Sequence, residues 1–202
     1  MKLYYSPAAC SLSPHIALRA AGMAVELIKV DLKSKQTQDG RDFYQINPKG
    51  SVPCLELDNG ERITEGPAIV QYIADLNPAA NLAPANGTFA RTRLQEWLNF
   101  ITSELHKGFS PLFNPQAPAE WKTLVRATLG KKLDVVSHHL AAQPYLLGDQ
   151  FSVADGYLFT VLFWTRWVEI DLQAWPVLHA YFQRIATLPA VAAALEAEGV
   201  KA

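Results

Sequence analysis

Apolar and polar positions follow two different rhythms along this chain, and the change comes near residue 80. Before it, short β-rich runs alternate with helical stretches. Lys2–Ser6 reads as a strand, and Leu12–Ala21 as a helix closed by Gly22. Glu26–Asp31 alternates and carries β-branched residues, which predicts a second strand. Cys54–Leu57 and Arg62–Thr64 flank Asp58-Asn59-Gly60, whose Asn-Gly pair predicts a tight hairpin turn. A helix then starts at Gly66-Pro67, with proline at its favoured first-turn position, and runs to about Leu76. The predicted order is β-α-β, a loop with a short helix, then β-β-α. That is an α/β unit with a small sheet of mixed direction.

From Asn77 to Gly87 the chain is rich in Pro, Ala, Asn and Gly, as a linker is. No strand pattern follows it. Leu94, Trp97, Leu98, Ile101 and Leu105 repeat at helical spacing and predict one long helix over Phe89–Phe109. Pro111, Pro115 and Pro118 punctuate before a second helix, Trp121 to Ala141. A third begins at Ser152, a fourth near Trp175, and a short fifth follows Pro189. The pattern divides the chain into an α/β domain over 1–80, a linker over 81–86 and an all-helical bundle over 87–202.

Composition narrows the function classes. Of 202 residues half are hydrophobic and 18% are charged, the balance of a globular chain. A net charge of −1 without a cluster of Lys and Arg leaves no footprint for nucleic acid. The longest apolar stretch, near Tyr157 to Trp164, contains Thr160 and is far short of a membrane span. Met1-Lys2 leads directly into the first strand and does not read as an export signal. Two cysteines make no disulfide framework, so a cytoplasmic location is expected. There is no G-x-G-x-x-G, P-loop, C-x-x-C or H-E-x-x-H pattern, and adjacent His138 and His139 point to different helix faces. No metal or cofactor is expected.

Three places carry candidate chemistry. Cys10 lies between the first strand and the first helix, where unpaired N–H groups and the helix dipole favour a thiolate. Location alone is equally compatible with a small buried hydrophobe. Ser13 occupies the partner position of a C-x-x-C motif, so Cys10 is not half of a dithiol. On the long helix, Asn99, Ser103, His106 and Lys107 share one face through i+3 and i+4 spacing. Such a stripe is ordinarily a solvated face; as the first helix after the linker it is also placed to line an interdomain cleft, and His106 can donate to a thiolate near neutral pH. Val52-Pro53 reads as an edge or turn proline, or as a cis bond that exposes backbone to a peptide ligand. Glu65 and Gly66 fall at the next helix start, suited to dipole compensation or to a ligand amine and carboxylate side by side. Ser152-Val153-Ala154-Asp155 is a capping box and is assigned to stability.

Over its whole length the chain resembles the bacterial Beta class of cytosolic glutathione transferases. The matching stretches are Met1-Lys2-Leu3-Tyr4-Tyr5, Ala9-Cys10-Ser11-Leu12-Ser13-Pro14-His15, Asn47-Pro48-Lys49-Gly50-Ser51-Val52-Pro53 and Thr64-Glu65-Gly66. Further on come Glu96-Trp97-Leu98-Asn99-Phe100, Glu104-Leu105-His106-Lys107-Gly108-Phe109 and Phe151-Ser152-Val153-Ala154-Asp155. The resemblance implies a thioredoxin-like domain, a helical domain, a homodimer and glutathione as co-substrate. It implies Cys10 near the glutathione sulfur, with Ser11 and His106 as helpers in catalysis. Tyr5 and Lys35 fall in the implied glutathione site. So do Val52 beside cis-Pro53, then Glu65, Gly66, Asn99, Ser103 and Lys107; Glu104 is implied to reach a ligand in the partner subunit. Phe109, Phe113, Trp164 and Trp167 are the implied lining for a small hydrophobic electrophile. For at least half of those aromatics bundle core is the expected place. Two residues depart from the family pattern: Cys54, where a small non-thiol residue is usual, and Gly156, where alanine is usual.

The expected activity is conjugation of the glutathione thiolate to such electrophiles. Two other readings compete with it. One is thiol–disulfide exchange or peroxidase chemistry through a Cys10 mixed disulfide. The other is a non-enzymatic ligand-binding or interaction protein of the same fold.

Overall fold

A computed structural model describes residues 1–201, which form two compact units. One comprises Met1–Ala83 together with the segment from Leu188 onward; the other is Pro84–Thr187. The last helix therefore groups with the α/β unit, whereas its helical character placed it in the 87–202 bundle. Periodicity reports that a segment is helical and amphipathic, not which core receives it.

The first unit contains β1 (Lys2–Tyr5), α1 (Leu12–Ala20), β2 (Glu26–Asp31), β3 (Gln36–Thr37), β4 (Cys54–Glu56), β5 (Arg62–Thr64) and α2 (Gly66–Leu76). The strands form one sheet in the order β3-β2-β1-β4-β5. β1 runs parallel to β2 and antiparallel to β4, the mixed thioredoxin-like arrangement. Alternation divides the strands between two cores. Tyr4, Ile28, Val30 and Cys54 join Phe43, Ile46 and Val52 on one face. Leu3 and Leu55, directly opposed in register, point to the other. Helix α1 closes with Met23 N–H on Leu18 O and Gly22 N–H on Arg19 O, a paired C-terminal cap. The Asn-Gly hairpin is present, but its loop has three residues. Gly60, at φ 86°, donates to Leu57 O while Leu57 N–H bonds Glu61 O, which is a turn followed by a bulge.

The long helix of the second unit runs past its predicted end at Phe109. It consists of α3 (Phe89–Phe100), a π segment (Ile101–His106) and α4 (Lys107–Phe113). At the start of the π segment Thr102 Oγ1 donates to Leu98 O at 2.7 Å and Ser103 Oγ to Asn99 O at 3.0 Å. Lys107 N–H bonds Thr102 O, five residues back. Pro111, expected to punctuate, lies inside α4. The carbonyl it cannot bond is that of Lys107, where the ladder is already shifted.

Among the described residues, three further α-helices of this unit are α5 (Ala119–Leu140), α6 (Val153–Phe163) and α7 (Pro176–Ala186), with short 3-10 turns at Trp164–Trp167 and Leu172–Ala174. Every residue of α6 is buried, as expected of a helix that is apolar on all sides. In the first unit, α8 (Pro189–Glu198) packs on α1. Among the described residues no helix is long and apolar enough to cross a membrane.

Candidate functional site

The loop from β1 to α1 is wound tightly. Ala9 N–H bonds Ser6 O at 3.1 Å and Leu12 N–H bonds Ala9 O at 2.9 Å, which sets Cys10 in the last turn before the helix. The thiol is half-exposed, and Sγ donates to Val52 O at 3.1 Å. The Val52–Pro53 peptide is cis. Cys10 and the carbonyl preceding the cis-proline, far apart in sequence, thus form one group. Ser11 does not join it. Its hydroxyl is wholly buried, accepting from Ser6 N–H at 3.1 Å and donating to Ser6 O at 3.2 Å. Ser11 braces the loop from inside, a correction to its implied catalytic part. Tyr5 is also interior, with its ring 6.4 Å from that of His15. Burial, and then the nearby Glu198 carboxylate, push its phenol up.

Around the cis-proline the same unit gathers charge. Glu65 precedes α2 with φ 69° and ψ 113°, a conformation L-residues avoid, and makes no side-chain cap. Its exposed carboxylate accepts from Lys49 Nζ at 2.8 Å, and the same ammonium reaches Thr64 Oγ1 at 2.9 Å. Lys49 is the member of this group that sequence reasoning missed, although it lies in the quoted Asn47–Pro53 stretch. Gly66 opens α2 and supplies a first-turn amide that no helical carbonyl can reach. Lys35, also at positive φ, donates from Nζ to Gly50 O at 2.8 Å. Gly50, whose carbonyl anchors Lys35, has φ 60°, in the left-handed region that favours glycine. A carboxylate beside an uncapped helix start is complementary to the zwitterionic end of an extended peptide.

In the second unit the predicted polar stripe is real but not uniform. Asn99, Ser103 and Lys107 are exposed. His106, the last residue of the π segment, is half-buried, with Nδ1 2.7 Å from Tyr157 Oη. The Glu104 carboxylate pairs with Lys132 Nζ of its own chain at 2.6 Å and remains partly exposed. It borders an apolar cavity of about 220 Å³ between α4 and α5 that also involves Pro111, Trp121 and Leu124.

The four aromatics separate. The Trp164 ring meets His106 at 4.7 Å, Phe109 at 5.8 Å and Phe113 at 6.1 Å, all edge-on. Phe109 is wholly buried and is core. Trp167 belongs to a different cluster, its ring 5.3 Å from that of Phe163. Trp164 is itself buried, and Phe113 is the exposed member of its cluster. Among the described residues no group of three or more His, Cys, Asp or Glu could hold a metal ion.

Cys54 is fully buried, and burial pushes its thiol up to about 11. At pH 8 roughly 0.1% of it is thiolate. A chromogenic disulfide is therefore expected to titrate one thiol per chain in the native protein, Cys10, and two after unfolding in guanidinium. Two fast native thiols would contradict this burial.

A mixed α/β unit with a cysteine at its first strand–helix junction and a cis-proline before β4, followed by a helical unit, defines the architecture of the cytosolic glutathione transferases. Residues 1–75 match the family model for the glutathione S-transferase N-terminal domain, and residues 100–189 that for the C-terminal domain. The chain is 47% identical to glutathione S-transferase GstA of Escherichia coli O157:H7, over all of both chains. It superposes on BphK, a bacterial GST solved as a ternary complex, with TM-score 0.97 and 60% identity, covering 99% of this chain and 100% of that one. A sphingomonad glutathione S-transferase solved with glutathione gives TM-score 0.96 and 50% identity over all of both chains. The beta-class enzyme of Sphingomonas chungbukensis gives 0.96 and 49%, again over both chains entire. The chain belongs to the glutathione S-transferase family.

Proposed function

We propose that this enzyme joins the thiolate of glutathione to small hydrophobic electrophiles, working as a homodimer in the cytoplasm. The observation that carries the reading is the Cys10 Sγ–Val52 O contact at the cis-proline, with the Glu65–Gly66 peptide-end clamp in the same unit. In this reading Val52 pairs its backbone with the cysteinyl part of glutathione, and Glu65 and Gly66 receive its α-amino and α-carboxylate groups. Lys35 is assigned to the glycyl carboxylate. Asn99, Ser103 and Lys107 are assigned to polar contacts from the helical unit, and His106 to the sulfur. Phe113 and Trp164 flank the electrophile.

The chemical need is ionisation. A free thiol with pKa ~8.5 is about 3% thiolate at pH 7, and lowering the pKa by ~2 units raises that to about three-quarters, equivalent to ~2.7 kcal/mol. Donors aimed at the sulfur supply an energy of that size. The thiol proton leaves to solvent, the sulfur lone pair forms the S–C bond, and the leaving group departs with the electrons of the bond it breaks.

Conjugation of glutathione to a chlorodinitrobenzene, followed by absorbance, tests the reading. The native protein is expected to turn over. Cys10→Ala should retain activity within about tenfold, because the attacking sulfur is glutathione's own. His106→Ala should lower kcat by ~10–100-fold, the loss of one donor to a developing or resident anion. Absence of turnover in the native protein together with no glutathione binding at millimolar concentration would sink the proposal.

A further inference from the structure

Tyr157 lies near the start of α6, a helix whose every residue is buried, and its ring is only 2% exposed. A phenol in such a place requires a hydrogen-bond partner. Its oxygen lies 2.7 Å from His106 Nδ1. Two arrangements of the proton are conceivable, and the chemistry of the groups favours one. A phenolic O–H is a good donor and its oxygen a modest acceptor, whereas the unprotonated nitrogen of imidazole is a strong acceptor and cannot donate. The better pair is Oη–H donating to a bare Nδ1, and a neutral ring then carries its hydrogen on Nε2.

Packing holds the ring to that choice. Tyr157 meets the imidazole at an interplanar angle of 80°, and Trp164 meets it at 71° with centroids 4.7 Å apart. Turning the ring over would exchange Nδ1 for a carbon and break the 2.7 Å contact. α6 packs on the π segment that ends at His106, so the local winding of the long helix is part of what brings Nδ1 to the phenol.

We infer that Tyr157 is a positioning residue that fixes His106 as the Nε2–H tautomer, so that the histidine presents a hydrogen rather than a lone pair from its outer nitrogen. The consequence for catalysis rests on the proposed role of His106 toward the glutathione sulfur. An Nε2–H can donate to a thiolate without the ring being protonated, whereas the other tautomer would turn a lone pair toward an anion.

The test is ¹⁵N NMR of the full-length protein labelled in histidine, with the His106 signals assigned by their absence in His106→Gln. The expected native spectrum has a pyrrole-type Nε2 and an imine-type, hydrogen-bonded Nδ1. In Tyr157→Phe, with folding verified by its thermal transition, both nitrogens should move toward averaged values as the two tautomers interchange. A native spectrum with the hydrogen on Nδ1, or a tautomer unchanged in folded Tyr157→Phe, overturns the inference. Should Tyr157→Phe fail to fold, the native spectrum alone decides.

Kinetics provides a second readout. Tyr157→Phe is expected to lower kcat about tenfold, or ~1.4 kcal/mol, with KM for glutathione changed less than about twofold. His106→Gln, whose side-chain amide places an N–H near the position of Nε2, should recover part of what His106→Ala loses; His106→Asn should not. If His106→Ala costs nothing, the catalytic reading fails while the spectrum still settles the tautomer.

Discussion

Asp155→Ala is expected to lower the unfolding free energy by about 4 kcal/mol and the thermal midpoint by roughly 12 °C. Asp155 is wholly buried at the third position of α6, and four donors converge on its carboxylate. Leu146 N–H and Tyr181 Oη–H reach Oδ1, each at 2.9 Å. Ser152 N–H and Ser152 Oγ–H reach Oδ2 at 2.9 and 2.8 Å. Burial pushes the carboxyl up, and these donors pull against it. Alanine would leave all four without an acceptor, in a place water does not enter. The segment before α6, the start of α6 itself and a tyrosine on α7 would lose their common anchor together.

Asp155→Asn separates hydrogen bonding from volume. Its amide oxygen can replace Oδ1 toward Leu146 and Tyr181, but its NH₂ would confront the two Ser152 donors. The expected order of midpoints is native, then Asn, then Ala, measured by circular dichroism at neutral pH. A midpoint for Asp155→Ala within about 2 °C of native would show that the carboxylate is not the anchor.

A second large effect is expected at Glu198→Ala, a loss of about 3 kcal/mol and roughly 9 °C. Glu198 ends α8 and is buried, yet it acts on the loop that carries Cys10. Its Oε2 accepts from Ala8 N–H at 2.8 Å, and its Oε1 lies 2.9 Å from His15 Nδ1. Arg19 Nε donates to His15 Nε2 at 3.3 Å, which makes that nitrogen the acceptor and places the imidazole hydrogen on Nδ1, facing Glu198. Ala8 itself has φ 58°, a conformation that costs an L-residue on the order of 1 kcal/mol or more. The bond from Glu198 offsets that strain and fixes the backbone two residues before the thiol.

Glu198→Ala should therefore change the rate of Cys10 labelling as well as the midpoint. Glu198→Gln, which keeps an acceptor for one of the two donors, should fall between native and alanine. Unchanged labelling in a destabilised Glu198→Ala would mean that α8 supports α1 without governing the loop.

The elements whose signal is local were legible in the sequence. β2, β5, the start of α1, Pro67 opening α2 and the Ser152–Asp155 box all stand where patterns placed them, because strand alternation and capping act within a few residues. β3 was not seen: two residues at a sheet edge leave no alternation to count. The π segment escaped because a shift of one residue in the hydrogen-bond ladder leaves the apolar spacing still readable as an ordinary helix.

The site divides in the same way. Cys10 at the strand–helix junction and Glu65–Gly66 at a helix start are positions on single elements, and these could be read. The links Cys10–Val52, His106–Tyr157 and His15–Glu198 join residues 42, 51 and 183 positions apart, and no spacing rule reaches that far. Ser11 was misassigned for a related reason. A hydroxyl beside a cysteine looks the same in a sequence whether it faces outward or inward.

The grouping of α8 with the first unit bears on how the chain is made. A ribosome releases β1, the Cys10 loop and α1 early, then the whole of Pro84–Thr187, and only afterwards the helix that ends in Glu198. During synthesis the Cys10 loop waits, with Ala8 unsupported, until more than a hundred later residues have emerged. The second unit is made within one uninterrupted run of the chain, whereas the first needs both of its ends. A thiol loop made among the first residues of the chain therefore cannot be locked until almost the last of them, Glu198, is in place.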